Sequence, residues 1–213
     1  AVMRASTVTY RLEDVDRVGA WLPEVVRSLR PEVELNCFFA PVRPQGQEAS
    51  MRPTEHAFVV SAVAFAQTPR EADQWLAPVA DGPQTPGRRL AACQEVSFPD
   101  LYAQMESLFV DNRRYVTDAF TFDAPPAEIL AHLRDRAATA PSPESFILMS
   151  LPAPRPADAP APPDMAFSLP GSSFVGVYGI WREAAQDAEN GDWVRQTSKQ
   201  LESIKVGHYV GET

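Results

Sequence analysis

The sequence predicts an α+β fold in which one wide antiparallel sheet carries helices on one face. The main observation is that two successive stretches contain the same series of strands and helices, a doubled ferredoxin-like (split βαβ) pattern. The second observation is size, because 213 residues with 45% hydrophobic content can bury a substantial core and fit one domain. We therefore predict a single domain over residues 1–213.

The first repeat is predicted to contain three strands and two helices. It comprises a strand near Thr7, a helix at Leu12–Leu29, strands at Glu32–Phe39 and His56–Phe65, and a helix at Pro69–Val79. Apolar residues of the first helix are three and four positions apart, which is typical of an amphipathic helix lying on a sheet. The second helix follows Thr68, a residue type that commonly caps helix N-termini.

The second repeat is predicted to follow the same order. It comprises a strand at Arg114–Phe122, a helix at Pro126–Ala138, strands at Phe146–Leu151 and Phe174–Trp181, and a helix at Asp187–Ile204. A short helix opened by Pro99 lies between the repeats, and we expect its apolar residues to join the core: Leu101, Met105, Leu108 and Phe109. Loops are predicted at Pro41–Pro53 and at Pro152–Pro163, where six of twelve residues are proline.

Residue alternation in the strand Phe174–Trp181 predicts two apolar faces. Phe174, Tyr178 and Ile180 fall on one face. Val175, Val177 and Trp181 fall on the other. Because one helix layer covers only one face, we expect the other to contact a ligand, a second domain or a partner subunit.

Composition and charge exclude several classes of partner. The formal net charge of −9 argues against a nucleic-acid surface, which normally shows clustered basic residues. Lys199 and Lys205 are the only lysines, which favours a GC-rich bacterial coding bias. No apolar run approaches the roughly eighteen residues that span a bilayer, and the first residues lack a signal peptide's apolar core, so we expect a soluble, cytoplasmic protein without a membrane partner.

The sequence contains no motif that is typical of a phosphate, metal or nucleophile site. His56, His132 and His208 are far apart along the chain, so we expect no metal site. Cys37 and Cys93 occupy apparent strands without CxxC spacing, which favours buried structural thiols and does not support a disulfide.

Several segments, taken in order, resemble a known family. They are His56–Val79, Pro99–Phe109, Arg113–Phe120, Met165–Ser168, Phe174–Trp181, the helix through Trp193, and Gly207–Glu212. Their order and spacing resemble the substrate-binding, C-terminal domain of FAD-linked oxidases of the berberine bridge enzyme-like and vanillyl-alcohol oxidase type. The resemblance implies that FAD is bound mainly by a separate N-terminal domain, which is absent from this chain.

The resemblance implies a function for the longer protein, of which this chain would be a fragment that is inactive in isolation. The fragment would cover the flavin and bind the small-molecule substrate, an alcohol, sugar or secondary metabolite oxidised at a CH–OH or CH–N group. Its partner would be its own N-terminal FAD-binding domain, and the oligomeric state stays open. The alternative is a non-enzymatic ferredoxin-like module that binds a small ligand or dimerises through its open sheet face.

The resemblance also implies site residues. Tyr209 corresponds to the family's terminal aromatic residue near the flavin, and Tyr115 and Tyr178 are candidates for strands that face the substrate pocket. Further candidates are Thr117, Asn36, Glu95 and Trp181. For each tyrosine the alternative is plain packing, because buried tyrosines commonly satisfy only a hydroxyl hydrogen bond.

Two positions depart from the family pattern. Leu169–Gly171 stands where many relatives carry His or Arg, and Gly211 replaces an Asn that is common after the closing Tyr-Val pair. These changes predict either a more apolar substrate or a member whose oxidase activity has drifted or been lost.

Overall fold

The computed structural model describes residues 1–42, 55–155 and 170–212, and these form one eight-stranded antiparallel sheet with five α-helices. The strands are β1 (Val2–Tyr10), β2 (Val33–Val42), β3 (Glu55–Ala66), β4 (Arg89–Glu95), β5 (Arg114–Phe122), β6 (Phe146–Ser150), β7 (Ser173–Trp181) and β8 (Lys205–His208). The helices are α1 (Val15–Ser28), α2 (Pro69–Ala80), α3 (Phe98–Glu106), α4 (Pro126–Ala138) and α5 (Asp187–Leu201).

The strand order confirms the predicted doubling. Across the sheet the order is β4-β1-β3-β2-β6-β7-β5-β8, in which the second four strands repeat the first four in reverse. Each repeat has the βαββαβ order of a ferredoxin-like unit, with α3 between the two. The repeats join where β2 pairs with β6, from Asn36 opposite Ser150 to Phe39 opposite Ile147.

One face of the sheet is covered by α1, α2, α4 and α5. The main core lies between them and includes Val60 and Val177 from the strands and Leu22, Leu76 and Leu133 from the helices. Their layer is closely packed where the two repeats meet. A Cβ added to Gly19 of α1 would lie 3.2 Å from Leu130 Cδ1 and 3.4 Å from Ala127 Cα of α4.

The position of α3 corrects one prediction. Helices were expected on one face only, and the apolar residues of this short helix were expected in the core. The structure instead places α3 across the opposite face of the sheet, and none of its residues is buried. Phe98 and Tyr102 are 56% and 68% exposed. Apolar spacing predicted the helix itself but not the layer to which it belongs.

Element boundaries agree with the prediction apart from the ends and edges. α1 is preceded by a 3-10 turn at Leu12–Asp14, and β2 continues to Val42. The strand expected around Cys93 is the edge strand β4, but neither β4 nor the edge strand β8 was predicted as an element of the two repeats. Most of the predicted loops Pro41–Pro53 and Pro152–Pro163 lies outside the described residues, as do the segment Met165–Ser168 and Leu169.

Both cysteines are free thiols in strands. Cys37 is buried under the helix layer, and this burial raises the pKa of its thiol. Cys93 is half-buried in β4 and has a φ of 49°, at the irregularity where β4 pairs with β1.

Across the described part of the chain, no helix is long and apolar enough to cross a membrane. The same residues contain no group of three or more His, Cys, Asp and Glu side chains that could hold a metal ion.

Candidate functional site on the open sheet face

The candidate site lies on the sheet face opposite α1, α2, α4 and α5, which we call the open face. Along β7, Tyr178 and Ile180 point to this face, whereas Val175 and Val177 point into the main core. The predicted division of this strand into two faces is therefore confirmed for these residues. Within the described ranges, α3 is the helix that crosses the open face.

A groove of about 380 Å³ runs between α3 and the strands of the first repeat. Its floor is formed by alternate residues of β1, β3 and β2: Thr7, Val59, Ser61, Val63, Glu34, Asn36, Phe38 and Ala40. Its wall is formed by α3 and the turn after it, chiefly by Phe98, Leu101, Met105 and Leu108. The groove is thus an apolar cleft with a band of polar side chains along one part of its floor.

Strand register produces the polar band. Thr7 lies opposite Ser61, and Ser61 lies opposite Asn36, so residues distant in sequence become neighbours. The Thr7 and Ser61 hydroxyls are 3.2 Å apart, and Asn36 Nδ2 donates a hydrogen bond of 2.8 Å to Glu34 Oε1. Asn36, a predicted site residue, therefore lies in the groove, whereas Thr7, Ser61 and Glu34 were not predicted. Small polar residues at alternate strand positions were the available signal.

Local sequence explains why α3 forms. Ser97 caps its N-terminus by accepting a hydrogen bond from the Asp100 amide, and Asp100 accepts hydrogen bonds from the Ser97 hydroxyl and amide in return. These hydrogen bonds lower the pKa of Asp100. Pro99 lies in the first turn, where its missing N–H is not needed.

Removal of this cap tests how much the cap stabilises α3, which forms the groove wall. We expect Ser97→Ala to lower the free energy of unfolding by about 1 kcal/mol, because the N-terminal amides of α3 lose their acceptor. Chemical denaturation measures the change, and limited proteolysis should cut first near α3. Ser28→Ala is the control, since the Ser28 hydroxyl only donates to the Val25 carbonyl at the end of α1. Equal losses in both variants would contradict this role for Ser97.

An aromatic cluster follows the groove towards the second repeat. The Phe146 and Tyr178 rings are stacked with centroids 4.5 Å apart, and the Phe109 ring meets both edge-on at 5.4 and 5.5 Å. Phe109 itself is 39% exposed. Tyr178 thus lies on the predicted face but beneath Phe109, where it supports the site from below.

Tyr115 and Thr117 extend the open face along β5, where Thr117 lies opposite Tyr178. Tyr115 is 41% exposed, and its hydroxyl donates a hydrogen bond of 2.5 Å to the Val110 carbonyl. Burial, together with the nearby carboxylates of Asp111 and Glu144, raises the pKa of Tyr115. The hydroxyl therefore stays protonated and acts as a hydrogen-bond donor at neutral pH.

Tyr209 closes the open face at its far edge. Its backbone amide donates a hydrogen bond of 2.8 Å to the Ala119 carbonyl, and its ring meets Phe174 edge-on at 6.2 Å. A Cβ added to Gly211 would lie 2.8 Å from the Tyr209 ring. The departure from Asn at position 211 thus has a physical consequence, since the ring of Tyr209 occupies the space that an Asn side chain would need.

Two predicted site residues lie elsewhere. Trp181 points to the helix-covered face, where its Nε1 donates a hydrogen bond of 2.7 Å to Asp187, so its prediction as a ligand-facing residue is corrected. The reason is the two-residue alternation of β7, since Trp181 is three positions from Tyr178. Glu95 is exposed at the end of the edge strand β4, opposite Arg4 in register and outside the groove.

A buried ion pair fixes the turn between α3 and β5. Arg113 donates two hydrogen bonds to Glu144, one of them 3.3 Å long, and Arg182 donates another of 3.2 Å. The side chains of Arg113 and Glu144 are only 10% and 12% exposed. Burial alone would raise the pKa of Glu144, but the hydrogen bonds and charges of the two arginines outweigh it and hold that pKa below its usual range.

The lowered pKa of Glu144 makes stability depend on pH. A carboxyl whose pKa is lower in the folded state contributes stability above its unfolded pKa of about 4.3 and loses it as the pH falls through the folded value. We therefore expect wild-type protein to lose more unfolding free energy than Glu144→Gln between about pH 6 and about pH 3. Denaturation curves at several pH values measure this difference, and parallel pH profiles would contradict it.

Comparisons with known proteins agree with this fold. No family model matches the sequence. The chain is 25% identical over 197 residues to the FAD-linked oxidoreductase nodO of Hypoxylon pulicicidum, covering 92% of this chain and 41% of that protein, in its C-terminal part.

Among solved structures, the chain resembles CrmK, a flavoenzyme involved in shunt product recycling in caerulomycin biosynthesis. The TM-score is 0.69 at 12% sequence identity, and the match covers 100% of this chain and 46% of CrmK. It also resembles 6-hydroxy-D-nicotine oxidase of Arthrobacter nicotinovorans, with a TM-score of 0.65, 11% identity and coverage of 100% and 46%. For a variant of berberine bridge enzyme the TM-score is 0.60 at 11% identity, with coverage of 94% and 41%. The chain therefore has the fold that the sequence resemblance predicted, and it spans less than half the length of these flavoenzymes.

Proposed function

We propose that this chain is the substrate-binding, flavin-covering domain of an FAD-dependent oxidoreductase that oxidises an alcohol, sugar or secondary metabolite at a CH–OH or CH–N group. The observation that carries the proposal is the open face, since four helices pack on the other side of the sheet and, within the described residues, α3 is the one helix that crosses this face. The FAD-binding domain would be the partner that completes the site, and the cytoplasm of a bacterium is the proposed location.

The residues present fit contact with a flavin ring but not with its phosphates. The second-repeat half of the open face has an aromatic surface formed by Tyr115, Phe174 and Tyr209. In the same half of the sheet, Gly207 lies directly beside the Thr121 hydroxyl. The Thr121 hydroxyl is buried without a hydrogen-bond partner among the described residues. No Gly-rich phosphate-binding motif occurs in the sequence. This chain would therefore contact the ring, while another domain holds the nucleotide.

The chain's own contribution would be positioning. A bound flavin supplies the hydride-accepting chemistry, whereas the protein orients the substrate and excludes water. The sheet is suited to this because its floor residues are held by strand pairing on both sides. The Tyr115 hydroxyl donates its single hydrogen to the Val110 carbonyl, so it offers a bound substrate its oxygen lone pairs as acceptors.

The visible absorption spectrum of the full-length gene product tests the proposal. We expect a yellow protein that contains FAD and whose absorbance bleaches when a suitable alcohol or amine is added without oxygen. A colourless product to which FAD does not bind would contradict the proposal and favour the non-enzymatic module.

A variant at Gly176 tests whether the rate of flavin bleaching depends on the open face. A Cβ added to Gly176 would lie 2.7 Å from the Tyr178 ring, so Gly176→Val should displace that ring and slow bleaching while the FAD content stays unchanged. Ala20→Val on the exposed side of α1 is the control. Equal bleaching rates in both variants would show that this part of the open face does not position the substrate.

A further inference from the structure

The groove beside α3 has a restricted chemistry that narrows the choice of substrate. Its lining is dominated by apolar side chains, including Phe38 and Val59 of the floor and Leu101 and Met105 of the wall. Glu34 is the only residue with a formal charge among the described residues that line it. The volume of about 380 Å³ falls within the range of about 300–1,000 Å³ that is typical of small-molecule sites.

The Glu34 carboxylate has no cationic partner within the described residues. Asn36 donates one hydrogen bond to it, and the ion pairs formed among residues 1–42, 55–155 and 170–212 do not include it. Its neighbour across the strand pair is Val63, which is apolar. A cation at this end of the groove would therefore have an available counter-charge, whereas an anion would meet repulsion.

The polar groups of the floor are few and are partly paired with one another. Thr7 pairs with Ser61, and Asn36 uses an amide hydrogen on Glu34. A sugar has many hydroxyls that would lose water on entering the groove and would find few new partners, which costs free energy for each unpaired group. An apolar ring system would instead gain from contact with the apolar walls.

We propose that the groove binds an apolar ring system that carries a protonated amine, with Glu34 as the partner of the ammonium group. This inference rests on the proposed function, because it takes the occupant of the groove to be the substrate. It selects an apolar amine from the broader classes of alcohol, sugar and secondary metabolite. Glu34 is a specificity-determining residue in this account, and its role is to bind the charge.

Three probes of the same shape and different charge test the inference on the full-length gene product: naphthylmethylamine, naphthylmethanol and naphthoate. Isothermal titration calorimetry gives the Kd of each. We expect the amine to bind about two- to fivefold more tightly than the alcohol, the size of effect that an exposed ion pair provides. Naphthoate should bind more weakly than the alcohol, and glucose should not bind measurably. Equal or tighter binding of naphthoate than of the amine would overturn the inference.

The Glu34→Gln variant tests whether Glu34 causes the preference of the groove for the amine over the alcohol. The variant should bind the amine and the alcohol equally, while its Kd for the alcohol stays at the wild-type value. The alcohol thus reports on folding in the same sample. Glu24→Gln makes the same charge change on the exposed surface of α1 and should keep the wild-type preference. An unchanged amine preference in Glu34→Gln would overturn the inference.

The absorption spectrum of the same samples separates this inference from the proposed function. A protein that contains FAD but shows no amine preference would overturn the inference and leave the proposed function standing. A flavin-free protein that prefers the amine would overturn the proposed function, and with it the claim that the occupant of the groove is a substrate.

Discussion

Replacing Glu144 with Ala is expected to lower the free energy of unfolding by about 3–5 kcal/mol, as for other buried ion pairs that lose one partner. The carboxylate is the common acceptor for Arg113 and Arg182, and the Arg113 side chain is only 10% exposed. Without Glu144 the Arg113 guanidinium would remain buried with carbonyl partners alone, those of Asp111 and Asn112. Urea denaturation followed by tryptophan fluorescence measures the loss.

An exposed ion pair provides the control for Glu144→Ala. Asp16 pairs with Arg134, and these side chains are 66% and 36% exposed. Asp16→Ala should therefore cost less than about 1 kcal/mol. If both variants lost the same stability, the Arg113–Glu144 pair would not be the anchor that holds the turn between α3 and β5.

Replacing Phe146 with Ala is expected to cost about 3–5 kcal/mol, the usual range for removing a buried phenylalanine. Phe146 is 1% exposed and forms the base of the aromatic cluster, stacked on Tyr178 and touched by Phe109. Its loss leaves a cavity beneath the open face and removes the support of Tyr178. Thermal and urea denaturation measure the stability, and flavin bleaching in the full-length protein should slow because the site loses its shape.

Phe98→Ala is the matched control for Phe146→Ala. Phe98 lies on α3 and is 56% exposed, and its ring lies near that of Phe65 of β3, with centroids 6.2 Å apart. Its removal should change the free energy of unfolding by less than about 1 kcal/mol. A Phe146→Ala variant that is as stable as Phe98→Ala would show that the aromatic cluster does not contribute to the core.

The sequence predicted those features of the fold that depend on local patterns. Apolar spacing located the helices of both repeats, and the repeated order of elements predicted the doubled sheet. Alternation along β7 assigned Tyr178 and Val177 to opposite faces, because side chains in a strand alternate strictly. The same rule already placed Trp181 with Val177, away from the predicted ligand.

The features that were missed depend on tertiary packing. The apolar residues of α3 fit either side of a sheet, so their spacing could not determine that Leu101 and Met105 would form the wall of a groove. The edge strands β4 and β8 are short and largely exposed, so they lack the apolar run that marks a central strand, and the strand expected around Cys93 was not assigned to a repeat. Thr7, Ser61 and Asn36 become neighbours only through strand register, which the sequence did not specify.

The central claim is that the open face lies against a flavin-carrying unit in the whole protein. Thiol labelling of the full-length product tests it most directly, in a Cys93→Ser background where Cys37 is buried. A cysteine at Tyr115 lies on the open face, where this chain leaves the side chain 41% exposed, and a cysteine at Glu24 lies on the exposed side of α1. The account predicts that Tyr115→Cys reacts far more slowly than Glu24→Cys and that removal of FAD speeds its reaction. Equal labelling rates at the two positions, with or without FAD, would contradict the account.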